Sequence, residues 1–311
     1  MCAIFGVLDY KGKLDALQRL RLVKELGTAA EVRGTDATGI AFFQRDKLCI
    51  QKAPKPAHRM KYRIPAEVRY IMGHTRMTTQ GNASQNQNNH PFPGKAGNQS
   101  FALAHNGVLC NDFTLQRRYH LPPTNVETDS YVAVQLIEQQ KEVSPDSLRM
   151  MAEAVEGSFA FTVLDGDNNL WFVKGNNPLT IYHYPKLGLY LYASTEGILS
   201  DALCALGMEK ATYETIQPWP GDILRIDNQG HQEKFSFDTE EEPLPSPFSR
   251  SWYSAPPQRH STRSHVTQQD YIQAVKTVAL FHGFEAEEID ALLADGYTTD
   301  DLEDMIYCRK L

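Results

Sequence analysis

Short apolar stretches rich in branched and aromatic side chains recur along this chain, and their spacing limits it to few architectures. Residues 2–8, Tyr70-Ile71-Met72-Gly73-His74-Thr75-Arg76 and Phe101-Ala102-Leu103-Ala104-His105 have strand length and are bounded by turn or polar residues. Further strands are predicted at Phe159 to Leu164, Leu170 to Val173, Thr180 to Tyr184, Leu189 to Ala193 and Asp222 to Ile226. Helical periodicity falls between them. Leu14, Leu17, Leu20, Leu22 and Leu26 recur at mixed three- and four-residue spacings up to about Gly27, and a helix is predicted from about Glu196 to Leu206. Asp129 opens the apolar run Tyr131, Val132, Val134, Leu136 and Ile137, which places it in the first turn of another helix, where the dipole favours a carboxylate. Strands from segregated hairpins, covered by helices, predict an α+β fold in layers.

Residues 78–100 are dominated by Asn, Gln, Ser, Gly and Thr and show no apolar period, so they read as one long loop. Loops of that length inside a compact domain are usually functional or mobile. Residues 2–237 then form the main domain. Residues 238–267, with three successive glutamates, several prolines and no periodicity, read as a linker or disordered segment. Beyond it, Tyr271 to Phe281, Ala286 to Ala294 and Thr299 to Tyr307 predict a small three-helix appendage over 268–311, with Asp300 and Asp301 capping the last helix.

With 41% hydrophobic residues in 311, the chain can bury a full core. Its net charge of −7 and lack of a long basic run remove the electrostatic footprint of a nucleic-acid binder. No stretch approaches the length of a membrane span. The five cysteines, at 2, 49, 110, 204 and 308, are scattered and odd in number, which argues against a disulfide framework and a zinc site and favours a reducing cytoplasm.

Cys2 directly follows Met1, and removal of that methionine would put thiol and α-amine on one residue. An α-amine titrates near ~7.7–8.0 and a cysteine thiol near ~8.5, so the chain end would then carry nucleophile and base together. The ordinary reading is that Cys2 is the first inward residue of a strand, since free cysteine packs as a small hydrophobe. Five polar clusters further along bear on that choice: Arg33-Gly34-Thr35-Asp36-Ala37-Thr38-Gly39-Ile40, the segment from Gly73 to Gly81, Asn89-His90-Pro91-Phe92, Ala104-His105-Asn106-Gly107 and Thr128-Asp129-Ser130. Singly, each has an ordinary explanation: Arg76 and Asp129 a surface ion pair, Asn106-Gly107 a hairpin turn, Arg33 to Asp36 a polar turn after a helix. Together with Cys-Ala-Ile-Phe-Gly at the start, and in this order, they resemble the class II glutamine amidotransferases, over roughly residues 2–235.

The resemblance implies a four-layer αββα sandwich of the N-terminal nucleophile hydrolase type and a glutaminase reaction through a thioester on Cys2. It implies that the Asn106 side-chain amide and the Gly107 N–H form an oxyanion hole. Arg76 is implied to grip the substrate α-carboxylate, a task suited to a planar fork. Asp129 would pair with the α-ammonium, Thr79 and His90 would support the carboxylate site, and Arg33 with Gly34 would line the pocket beside the nucleophile. The chain departs from the family pattern at Met77-Thr78, where an aromatic residue and alanine are common, and at Gln80, where histidine is often found. Those positions bear on substrate breadth.

No cofactor or metal is expected. His74, His90 and His105 are irregularly spaced and include no His-x-x-x-His pair. No pyrophosphatase or phosphate-binding loop follows residue 235, so the ammonia acceptor is expected on a separate partner protein docked through residues 268–311. The substrate is expected to be glutamine, with neither nucleic acid nor membrane as a partner. Two further readings share the residues: hydrolysis of a γ-glutamyl amide in a small metabolite or peptide, and a non-catalytic glutamine sensor that retains Met1.

Overall fold

The structure, a computed structural model, describes residues 2–208, 210–239 and 286–294 together with positions 272, 276, 297 and 302. The chain divides into two units, Met1–Asp238 and Thr239–Leu311.

The first unit is built around strand β1 (Ala3–Asp9), whose alternate side chains serve two cores. Ala3, Phe5 and Val7 pack toward helices, whereas Ile4 and Leu8 pack toward a second sheet. Because both faces are buried, such a strand reads as a continuous apolar run rather than as an alternating one. The chain continues through α1 (Ala16–Ala29), the hairpin β2 (Ala37–Gln44) and β3 (Lys47–Ala53), β4 (Tyr70–Arg76), β5 (Phe92–Ala96) and β6 (Gln99–Leu109). Three helices follow: α2 (Asp112–Arg118), α3 (Tyr131–Gln140) and α4 (Pro145–Ala154). The remainder is β7 (Gly157–Asp165), β8 (Leu170–Lys174), β9 (Thr180–Tyr184), β10 (Leu189–Ala193), α5 (Glu196–Leu206), β11 (Glu214–Ile216), β12 (Asp222–Ile226) and β13 (Gln232–Ser236).

One sheet has the order β11-β9-β10-β1-β4-β2-β3 and the other β13-β12-β8-β7-β6-β5. Their facing sides enclose Ile4, Met72, Ala104, Ala160, Phe172 and Tyr192. Helices α1 and α5 cover the outer face of the first sheet through Leu22, Leu26, Leu199 and Leu203. Helices α3 and α4 cover the second through Val132, Leu136, Leu148 and Met151. The result is the expected four-layer αββα sandwich.

Local chemistry fixes the helix starts. Asp15 accepts from the Gln18 N–H while the Gln18 side chain accepts from the Asp15 N–H, a reciprocal cap that opens α1. Ser144 caps α4 with Pro145 behind it, and Thr195 caps α5, which closes on Gly207 in the left-handed region.

Three expectations need correction. Residues 78–100 are not one loop: they contain a 3-10 turn at Asn86–Asn88, all of β5 and the start of β6. Strand β5 is the edge of its sheet, where proline and lysine are tolerated, so its sequence Phe-Pro-Gly-Lys-Ala hides a period-two burial pattern. Asp129 stands two residues ahead of α3 rather than within its first turn. Cys110 is disulfide-bonded, whereas Cys2 and Cys49 are in no disulfide, so the cysteines are not all reduced.

In the second unit the described helix α6 (Ala286–Ala294) spans the range its periodicity predicts. The segment expected as a linker lies outside the described residues except for 238 and 239. The helices expected over 271–281 and 299–307 also lie outside them apart from single positions.

Candidate active site

The antiparallel pairing brings the start of β1 beside the end of β4, with Ala3 opposite Thr75, and β4 beside the start of β2, with Ala37 opposite Arg76. Cys2 precedes β1 and is half-buried. Its Sγ donates to the Met77 carbonyl at 3.4 Å, and its own carbonyl accepts from Arg33 Nε at 2.9 Å. Burial pushes the Cys2 thiol up, while the positive charges of the chain terminus and Arg76 pull it down. A thiol raised by burial needs a base to become a nucleophile.

A cleft opens over Cys2, lined also by Arg76, Thr79, His90, Gly107 and Asp129. Asn106, Arg33 and Gly34 are not part of this lining, although Asn106 adjoins Gly107 and Arg33 bonds the Cys2 carbonyl. Gly34 lies against the chain at Arg76 and Met77: a Cβ there would fall 2.4 Å from the Arg76 carbonyl carbon. That close approach requires glycine and seats Arg33 against Cys2.

Arg76, at the last position of β4, is 3% exposed. Its guanidinium donates to Asn89 Oδ1 at 2.7 Å, to the Gly81 carbonyl at 3.2 Å and to the Gln80 carbonyl. Among the described residues only neutral acceptors hold it, and it is not paired with Asp129, so the ion-pair reading of these two residues does not apply. Asp129 is likewise buried; its Oδ2 accepts from the Leu109 N–H at 2.6 Å and its Oδ1 from the Ser130 hydroxyl at 3.2 Å. Two buried, opposite and mutually unpaired charges in one cleft suit a zwitterion, since among the described residues neither has an ion-pair partner and a ligand could supply both.

Asn106 and Gly107 lie inside β6, so they are not a hairpin turn. Asn106 is fully buried, yet neither polar atom of its side-chain amide has a partner among the described residues. A buried unpaired amide is costly unless something else engages it. Gly107 has φ +144°, a conformation that only glycine adopts readily.

His90 packs between His74 and Phe92, each ring centroid 4.3 Å away and each ring tilted against it, and neither of its ring nitrogens has a partner among the described residues. Burial, reinforced by the neighbouring histidines and by Arg76 and Lys52, holds its pKa well below the usual range. Thr79 is exposed at the rim of the cleft. Sequence reasoning singled out Asp129 but assigned nothing to its companions. Ser130 Oγ lies 2.8 Å from His105 Nδ1, which extends the Asp129 network into β6. Thr128, Ser130, His105 and Gln80 all line the cleft, and the sequence signal for them was membership of the same polar clusters. Among the described residues no group of three His, Cys, Asp or Glu side chains is arranged to hold a metal ion.

The layered sandwich with its cleft at the start of β1 is that of the N-terminal nucleophile hydrolases. Within them the chain belongs to the class II glutamine amidotransferases, whose family model matches residues 1–183. It is 33% identical over 184 residues to the glutamine–fructose-6-phosphate aminotransferase (isomerizing) of Bacillus licheniformis, an alignment covering 57% of this chain and 30% of that one. The Bacillus subtilis enzyme of the same name is 32% identical over 185 residues, with the same two shares. Among solved structures it is similar to glutamine phosphoribosylpyrophosphate amidotransferase from B. subtilis complexed with ADP and GMP. That match has a TM-score of 0.62 and 21% identity and covers 76% of this chain and 49% of that chain, a likeness of fold. The match thus spans under a third of the length of these curated relatives.

Proposed function

We propose that this protein hydrolyses the side-chain amide of glutamine through a thioester on Cys2 and supplies the ammonia to a separate partner protein. The observation that carries the reading is the fully buried, unpartnered amide of Asn106 next to Gly107 in a cleft that also holds a thiol, Arg76 and Asp129.

Removal of Met1 would leave the Cys2 α-amine to take the thiol proton. The thiolate then adds to the side-chain amide carbon of glutamine, and the Asn106 amide and Gly107 N–H stabilise the resulting oxyanion. Collapse breaks the C–N bond, the α-ammonium returns the proton to the leaving ammonia, and water cleaves the thioester to glutamate. Arg76 and Asp129 hold the α-carboxylate and α-ammonium. Thr79 and His90 support the carboxylate end, and Arg33 with Gly34 fixes the nucleophile's own carbonyl.

Residues 2–237 would be the catalytic domain and residues 268–311 the docking element for the ammonia-consuming partner. No described helix is long and apolar enough to cross a membrane.

The test is the intact mass of the purified protein before and after exposure to a glutamine-mimicking diazoketone, alongside glutamate release from glutamine. Loss of Met1 and a single adduct, absent in Cys2→Ala, is the expected result. Retained Met1, no adduct and no glutamate would overturn it.

A further inference from the structure

The end of β8 and the turn after it carry polar side chains that the proposed chemistry does not use, Lys174 and Asn177 among them buried. Lys174 Nζ donates to the Gly175 carbonyl at 2.7 Å, and Asn176 Oδ1 accepts from the Phe159 N–H at 3.0 Å. The Asn177 backbone N–H donates to the Phe159 carbonyl at 3.3 Å. The Asn177 side chain, 3% exposed, reaches past β7 to β6, where its Nδ2 donates to the Asn106 carbonyl at 2.8 Å. That acceptor is a carbonyl, which accepts only, so the side-chain amide must present its nitrogen there.

The Asn106 carbonyl and the Gly107 N–H belong to the same peptide unit. In a planar trans peptide the two point in opposite directions. Fixing the carbonyl on Asn177 therefore aims the Gly107 N–H away from Asn177, and Gly107 lines the cleft with Cys2.

Glycine makes such a clamp necessary. At φ +144° no side chain limits the directions this peptide can face, and a Cβ at Gly107 would lie 2.0 Å from the Ser158 carbonyl and 2.6 Å from Asn177 Nδ2. The Asn177 amide thus occupies the space beside the glycine and supplies the restraint that a Cβ would otherwise give. A hydrogen bond to the carbonyl also polarises the peptide and strengthens its N–H as a donor.

We propose that Asn177 is a positioning residue for the oxyanion hole, holding the Asn106–Gly107 peptide so that its N–H faces the developing charge. The inference rests on the reading of this cleft as a Cys2 glutaminase.

The experiment uses the full chain and compares wild type with Asn177→Ala and the isosteric Asn177→Asp, which removes the donor at nearly constant volume. Glutamine kinetics, glutamate affinity and the thermal midpoint are measured. So is affinity for a γ-aldehyde analogue of glutamine, to whose carbonyl the thiol adds, forming the C–S bond and placing the former carbonyl oxygen in the hole. A lost oxyanion donor costs ~10²–10³ in kcat, and misaiming one is a partial loss, so both variants should lose about tenfold in kcat and in aldehyde affinity. Their KM and glutamate affinity should stay within about twofold, as expected for an interaction made only in the transition state.

Wild-type kcat and aldehyde affinity in both variants would overturn the inference and leave the glutaminase reading standing. Losses in KM, glutamate affinity and midpoint, with kcat and aldehyde affinity unmoved, would overturn it too by assigning Asn177 to packing. Absence of turnover by wild type would remove the reading and the inference with it.

Discussion

Gly107 illustrates how little freedom individual residues have at the cleft. Its Cβ position falls 2.0 Å from a backbone oxygen, at a φ that side chains rarely adopt, so Gly107→Ala must shift β6 against β7. Replacement where glycine's conformation is required costs more than about 1 kcal/mol. The same shift withdraws an oxyanion donor, which is worth about 10²-fold. A thermal melt should therefore show a lowered midpoint, and initial-rate assays should show a kcat loss far larger than the change in KM. Near-wild-type kcat would mean that the Gly107 N–H does not serve the oxyanion. Arg76 is constrained differently. Asn89 Oδ1 and two carbonyls hold the fork in place, and lysine, a compact point charge, cannot satisfy all three acceptors and still present a planar edge. In Arg76→Lys, KM for glutamine should rise by about tenfold or more, the cost of losing a charge-assisted bidentate contact, with kcat less affected. Saturation kinetics checks this, and an unchanged KM would remove Arg76 from the substrate site.

At the scale of elements, helix α1 offers a clean test because its start carries no residue of the cleft. The Asp15 cap satisfies the Gln18 N–H at 2.8 Å and receives support from the Gln18 side chain. Asp15→Ala should lower the unfolding free energy by ~1 kcal/mol and leave glutamine turnover unaltered. Urea titration with a parallel activity assay decides it, and an unchanged midpoint would show that the cap contributes nothing. Strands β1, β4 and β7 to β10 were legible in the sequence because each is an apolar run bounded by turn residues. The hairpin β2–β3 was not, since its turn residues Arg45 and Asp46 adopt positive φ without the glycine or asparagine that usually signals it. Edge strands β11 and β13 bury little and carry no strong pattern, and the alternation of β5 is masked by Pro93 and Gly94. Helix α4 escaped notice although Ser144 and Pro145 mark its start. At the cleft, chemically distinctive side chains such as Cys2 and Arg76 stood out. Asn177 did not, because Gly175-Asn176-Asn177-Pro178 reads as an ordinary turn, and only the pairing of β6, β7 and β8 brings it to Asn106.

The two sheets are joined across their shared core by more than apolar contact. His74 on β4 meets the His105 carbonyl on β6, with Nε2 2.9 Å from the oxygen. His90 packs beside both rings, 4.3 Å from His74 and 6.4 Å from His105 between centroids. Burial lowers the pKa of all three, that of His74 to about 3. The charged groups facing them are Arg76 and Lys52, which oppose protonation of His74 and His90, and Asp129, which favours protonation of His105 but does not outweigh burial. Above the unfolded-state histidine pKa of ~6.5 the rings are neutral whether the chain is folded or not, and their contribution is fully present. Below it the unfolded chain takes up protons that the folded chain refuses, so stability falls with pH, down to about 3 for His74. The slope is at most about 1.4 kcal/mol per pH unit for each histidine. Urea midpoints measured from pH 7.5 to 4.5 should therefore drop steeply below about pH 6.5. Carboxylates add their own acid sensitivity, and His90→Phe separates the two: the ring packs tilted against Phe92 and makes no hydrogen bond among the described residues, so phenylalanine keeps the packing and removes one titrating group. The slope between pH 6.5 and 4.5 should then become shallower by the share of one histidine. Identical slopes for His90→Phe and wild type would mean that His90 takes up its proton in the folded protein, and that the space between the sheets can accommodate charge.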